Sequence, residues 1–152
     1  MEEAPLNRSD AAAAEAVPLV GVGASAGGLE AFQDMLAGAR PDMALAIVLV
    51  QHLDPNHESL LAELLGKRCA APVVTVEDGM ETRAGTIFLI PPGAALRVEG
   101  STLRLDPFDA PRGQRRPIDT FLESLAAERG PAAACVILSG TGSDGSVGAK
   151  AV

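Results

Sequence analysis

Short apolar runs alternate along this chain with longer stretches in which apolar residues recur every three or four positions. Runs of the first kind suit strands buried on both faces, and stretches of the second kind suit helices that cover them. Their alternation predicts β-α-β units around a mostly parallel sheet. The run from Leu19 to Val22 predicts a first strand, and Leu29, Phe32 and Leu36 predict a helix from Gly27 to Leu36. Ala44 to Val50 is apolar throughout and predicts a second strand that stops abruptly at Gln51-His52. Asp54-Pro55-Asn56 is a turn and helix-start signal, and the segment from Glu58 to Lys67 carries Leu60, Leu61, Leu64 and Leu65 on one expected face.

Val73 to Val76 and Thr86 to Ile90 predict two further strands, the second closed by Pro91-Pro92-Gly93. From Ala95 to Val98 and from Thr102 to Leu105, apolar and polar residues alternate around Gly100-Ser101, which predicts an antiparallel hairpin. Pro117 opens an expected helix running to Ala127, with Ile118, Phe121, Leu122 and Leu125 facing inward. Ala133 to Leu138 predicts the last strand, which feeds the glycine-rich stretch from Ser139 to Gly145. The fold class that follows is α/β: a Rossmann-like, doubly wound, mostly parallel sheet with an appended antiparallel hairpin.

Composition narrows the picture. At 152 residues and 47% hydrophobic content the chain is one domain by length and can bury a real core. Its 12 Lys and Arg are outnumbered by 20 Asp and Glu, and a net charge of −8 argues against a surface for nucleic acid, which needs a basic face. Residues 1–16 are acidic and alanine-rich, lack the pattern of a signal peptide and are expected to form a disordered tail or linker ahead of a domain over 17–152. No run approaches the roughly 18 apolar residues of a membrane-spanning helix, so direct membrane insertion is not expected. Cys69 and Cys135 form no C-x-x-C pair and sit in or beside apolar runs, the setting of buried free thiols in a reducing compartment.

The candidate chemistry begins at Gly23-Ala24-Ser25-Ala26-Gly27, where an apolar run leads directly into a serine flanked by small residues. A G-x-S-x-G turn exposes a serine hydroxyl on a tight strand-to-helix bend with backbone N–H groups nearby. The same letters also fit Gly21-x-Gly23-x-x-Ala26, a tolerated form of the dinucleotide-binding pattern. Against that use, the second strand ends in Gln51-His52 where an acid would hold a ribose, and only Asp54 stands nearby.

Ser25, His52 and Asp144 each follow the carboxyl end of an expected strand, and in an open parallel sheet those ends share one edge. A serine hydroxyl needs a base to take its proton, and an imidazole needs a carboxylate to fix its tautomer, so the three residues are complementary. Each has a plainer alternative: Ser25 and Asp144 as turn residues, His52 as an ordinary strand-end residue. His57 precedes an expected helix and fits a solvent-facing cap better than a base. His52-x-Asp54-x-x-His57 has the residue types of a zinc or iron site, but it straddles a Pro-Asn turn rather than one helical face. In the glycine-rich loop, the Thr141 backbone N–H is the candidate donor to an oxyanion. Arg112, Arg115 and Arg116 are suited to steering an acidic partner, although a charge cluster in a loop is commonly just solvated.

Taken together, Gly23-Ala24-Ser25-Ala26-Gly27-Gly28, Val50-Gln51-His52 and Leu138-Ser139-Gly140-Thr141-Gly142-Ser143-Asp144-Gly145 resemble the CheB-type protein-glutamate methylesterase domain of bacterial chemotaxis systems. That resemblance covers about Val17 to Val152. It implies hydrolysis of glutamate methyl esters on the cytoplasmic helices of a chemoreceptor, releasing methanol, with glutamine deamidation in some members. Ser25 would then be the nucleophile, His52 the general base and acid, Asp144 the residue orienting His52, and Thr141 an oxyanion donor. No cofactor is implied, and the location implied is cytoplasmic. Well-known members carry a receiver domain before the esterase, and residues 1–16 are too few to hold one. The stretch from Gln51 to Ser59 is similar to members fused to methyltransferase and sensor-kinase domains. Members continue past the aspartate loop with a helix, a strand and a closing helix, so the C-terminal part of the domain is expected to be missing. The alternative to an enzyme is a non-catalytic docking module of a larger sensory protein.

Overall fold

A computed structural model describes residues 17–24, 29–51, 60–108, 115–138 and 144–152. Within them the apolar runs form β1 (Leu19–Ala24), β2 (Ala46–Gln51), β3 (Val73–Thr75), β5 (Ile87–Leu89) and β8 (Ala134–Ile137), which pair in the order β3-β5-β2-β1-β8 with every pairing parallel. Alternate residues of these strands bury on opposite faces. Leu19, Val48, Val50 and Phe88 point to one core, while Val22, Leu49, Ile87 and Leu89 point to the other. Helices α1 (Leu29–Leu36) and α2 (Leu61–Gly66) cover the second core with Phe32, Leu36, Leu61 and Leu65. Helix α3 (Pro117–Arg129) covers the first with Ile118, Phe121, Leu122 and Leu125, the four residues its spacing predicted. A short helix α4 (Ser146–Ala151) packs on α3.

The sheet is therefore doubly wound, as expected. The chain runs from β1 through α1 on one face to β2 and returns through α3 on the other face to β8. The strand order reverses between β1 and β8, the kind of place where α/β proteins build their sites. The expected hairpin is present as β6 (Ala94–Glu99) and β7 (Thr102–Pro107). It belongs to a separate antiparallel sheet, β4-β7-β6, in which the two-residue β4 (Met80–Glu81) pairs with β7. So short a strand leaves no periodicity to read. Leu96, Val98 and Leu103 of this sheet join the α3 core, and the Val98 N–H donates to Ser124 Oγ on α3 at 3.1 Å.

Two expectations are corrected. Leu60 and Leu64 are 64% and 39% exposed, while Leu61 and Leu65 are buried. At 100° per residue the two pairs form separate stripes, and the short helix turns only one to the sheet. Cys69 and Cys135 are half-buried rather than buried, and neither is in a disulfide. Cys69 lies between α2 and β3, and Cys135 lies in β8, at one end of the described sheet. Among the described residues, no helix is long and apolar enough to cross a membrane.

Gly21 and Gly23 lie inside β1, paired with β2 on one side and β8 on the other. A Cβ at Gly23 would stand 2.6 Å from Ile118 Cγ2, and one at Gly21 would stand 2.7 Å from Leu122 Cδ2. The two glycines let α3 lie directly on the strand. Ile118 is β-branched and stiff at χ1, whereas Leu122 meets Gly21 with the far end of a flexible side chain. Gly23→Ala should therefore destabilise by about 1–3 kcal/mol through overpacking. Gly21→Ala should cost less, because the atoms it meets are the outer ends of Leu122, Phe121 and Leu125 side chains, while the unfolded-state gain of about 0.4–1 kcal/mol is common to both variants. Urea midpoints of the two variants check this; equal losses would remove the distinction between stiff and flexible neighbours.

Candidate active site at the strand carboxyl ends

Adjacent parallel strands end together where the sequence placed its candidate chemistry. Ala24 at the end of β1 is in register with Gln51 at the end of β2, and Gly23 is in register with Ile137 at the end of β8. The Leu138 N–H donates to the Gly23 carbonyl at 2.8 Å and carries the β8 pairing one residue further. Three consecutive strands, β2-β1-β8, thus present their carboxyl ends side by side.

Beyond β8 the chain re-enters the described structure at Asp144, and this residue is held firmly. Asp144 Oδ2 accepts the Ile118 N–H at 3.0 Å, and Oδ1 accepts the Asp119 N–H at 2.8 Å. The local cause lies in α3. Its first residue, Pro117, has no N–H, and the preceding Arg116 supplies no side-chain cap. The Thr120 N–H reaches the Arg116 carbonyl at 3.0 Å, so Ile118 and Asp119 are the first-turn donors left without an intrahelical acceptor. A carboxylate brought in from Asp144 satisfies both, and its negative charge suits the positive end of the helix dipole.

The arrangement is reciprocal. Asp119 Oδ1 accepts the Gly145 N–H and the Gly148 N–H, both at 2.8 Å, and so caps α4. Its other oxygen meets Arg116 Nη1 at 3.2 Å. Glycine is required at both α4 positions. Gly145 has φ +100°, a conformation that L side chains rarely adopt. A Cβ at Gly148 would stand 2.7 Å from Leu122 Cβ and 3.0 Å from Asp119 Cα. Asp119 is only 4% exposed. Burial pushes its carboxyl up, but the Gly148 N–H, the Arg116 guanidinium and the Gly145 N–H together outweigh that and hold it below the usual carboxylate range.

Of the residues singled out in the sequence, the structure places Asp144 at the shared edge. Ser25, His52 and Thr141 lie outside the described residues, as do His57, Asp54 and Arg112. The dinucleotide pattern loses its glycines, because Gly21 and Gly23 sit within the strand and face α3, not a turn after it. Arg115 and Arg116 are not simply solvated: the Arg115 guanidinium lies 4.6 Å from the centre of the Phe108 ring, and Arg116 pairs with Asp119. Sequence reasoning missed Asp119 altogether. The available signal was an acid two positions after a helix-opening proline, a common preference that points to no particular partner.

Residues 20–152 match the family model described as CheB methylesterase. A protein-glutamate methylesterase/protein-glutamine glutaminase of Geobacillus kaustophilus (strain HTA426) is 38% identical over 144 residues, which span 92% of this chain and 41% of that protein. An uncharacterized 104.1 kDa protein of Rhodobacter capsulatus is 52% identical over 92 residues, 60% of this chain and 10% of that one. Among solved structures, the Thermotoga maritima CheB methylesterase catalytic domain superposes with a TM-score of 0.78 at 28% identity, over 88% of this chain and 73% of that domain. The chain thus spans well under half the length of these two curated relatives.

A carboxyl held below its unfolded value of about 3.9 contributes stability that is complete above that pH and is lost as pH falls through the folded value. Asp119→Asn should therefore melt below the parent at pH 7, by about 2–4 °C for each kcal/mol lost. The gap should narrow as pH falls below about 4, where the unfolded parent takes up this proton before the folded one does. Thermal melts of both proteins from pH 7 to pH 3 test this, and a gap that stays constant would remove the ionised carboxylate as its source.

Proposed function

The chain belongs to the CheB methylesterase family, and from that membership we propose that it is a serine-triad hydrolase acting on glutamate γ-methyl esters of chemoreceptor cytoplasmic helices. The Ser25 hydroxyl attacks the ester carbonyl while His52 takes its proton. The oxyanion that forms is met by the Thr141 backbone N–H, a contact of a kind worth about 3 kcal/mol. His52 returns the proton to the departing methoxide, which leaves as methanol. Water, deprotonated by the same imidazole, then cleaves the acyl-serine to give glutamate and restore the hydroxyl. Asp144 accepts the second imidazole N–H and so keeps the tautomer that can receive the serine proton. Glutamine side chains follow the same course with ammonia as the leaving group, in keeping with the second activity in the name of the Geobacillus kaustophilus relative. No step calls for a cofactor.

One observation carries the proposal. Ser25 and His52 directly follow Ala24 and Gln51, which are paired in neighbouring strands, while Asp144 is anchored just past the strand on the other side of β1. The substrate class sets the reaction in the cytoplasm. The 92-residue match inside an uncharacterized 104.1 kDa protein, of which the aligned part is 10%, supports reading this chain's fold as one that also occurs within a much larger protein.

Methanol release from a methylated chemoreceptor cytoplasmic fragment tests the proposal. The parent should release methanol and Ser25→Ala should lose at least about 10³-fold in kcat, both being folded by circular dichroism. A folded parent that binds the fragment but releases nothing would replace the hydrolase with a docking module.

A further inference from the structure

We propose that Asp119 is a positioning residue for the reaction, holding the Asp144 carboxylate at the place from which it orients His52. This inference rests on the assignment of Asp144 as the orienting acid. Asp144 lies past β8, which stands at one end of the sheet. It is followed by Gly145, whose φ of +100° places a turn here, and by α4, whose Gly148 N–H is held from α3 by Asp119. Something outside that segment must fix it, because a catalytic constellation has to be held to within about 0.5 Å.

The bonding pattern supplies this. Asp144 reaches out to the backbone of Ile118 and Asp119, and Asp119 reaches back to the backbone of Gly145 and Gly148. Asp144 is therefore gripped twice, through its carboxylate by α3 and through the backbone just after it by Asp119. The bonds from α3 hold the carboxylate, and the bonds from Asp119 hold the 145–148 backbone that carries it. The second grip is buried and charge-assisted, which makes it short and strong. Arg116 orients the Asp119 carboxylate from its other oxygen. α3 is in turn seated on β1, where Ile118 lies against Gly23, so the grip refers the acid to the strand that leads into Ser25.

The test uses the full chain and the downfield proton NMR resonance of an imidazole N–H bonded to a carboxylate, alongside methanol release from the methylated receptor fragment. Asp144→Asn should remove the resonance. Asp119→Ala, folded by its amide spectrum, should broaden or lose the resonance and lower kcat about 10²-fold with KM within about twofold, the cost of a misplacement near 1 Å. Asp119→Asn keeps an acceptor for both glycine N–H groups and should restore the resonance and bring kcat to within about tenfold of the parent. A residue that merely stabilised the fold would leave the resonance intact in the folded fraction of Asp119→Ala. That result, after loss of the resonance in Asp144→Asn, overturns the role of Asp119 alone. A parent without the resonance, or one that Asp144→Asn leaves unmoved, overturns the Asp144–His52 pair and this inference with it. Should Asp119→Ala not fold, Asp119→Glu displaces the same acceptor by one methylene, and a parental resonance and kcat in that variant likewise overturn the role.

Discussion

Asp119 and Asp144 each hold the backbone beside the other, and the remainder of this molecule's architecture at the strand ends depends on that exchange. Each helix N-terminus exposes donors that its own turn cannot satisfy, and burying them unpaired costs about 1–3 kcal/mol apiece. Here the solution to one helix's deficit is supplied by a residue bound to the other. Neither N-cap residue, Arg116 or Gly145, supplies a side-chain cap to its own helix. The result couples two elements, and it delivers a carboxylate to the edge of the sheet as a by-product of satisfying the backbone.

Much of the fold was legible because a doubly buried parallel sheet announces itself in continuous apolar runs, and because Ile118, Phe121, Leu122 and Leu125 mark one stripe of α3. What escaped has a common physical cause: short elements and short helices carry too few residues for a period to emerge. Met80–Glu81 is a strand only because β7 lies beside it. The four leucines of α2 looked equivalent, and the face turned to the sheet was decided by packing, not by local pattern. Gly21 and Gly23 resembled a phosphate-binding turn until their close contact with α3 gave them a steric reason.

The site was legible to a different degree. Motifs after three strands identified Ser25, His52 and Asp144 as complementary, and the strand order β2-β1-β8 brings those strand ends together. The structure adds what anchors Asp144, and that part was beyond the sequence: its partners stand 25 and 26 residues away, at a separation where no periodicity connects an acid to a backbone N–H. Ser25, His52 and Thr141 fall outside the described residues, so their placement rests on the strands that precede them and on the family.

Ile118 joins these threads in a single residue. Its N–H is bonded to Asp144, while its side chain rests on the bare backbone of Gly23 and beside Gly145 and Ile137. Hydrogen bonds stretch softly, but a methyl group against a backbone meets the steep wall of atomic repulsion. The separation between the acid and β1 is thus set by the thickness of a side chain and not by the strength of an attraction. Such a spacer is stiff in compression and carries no charge, so the height of the acid above the sheet is fixed by contact and not by protonation or salt.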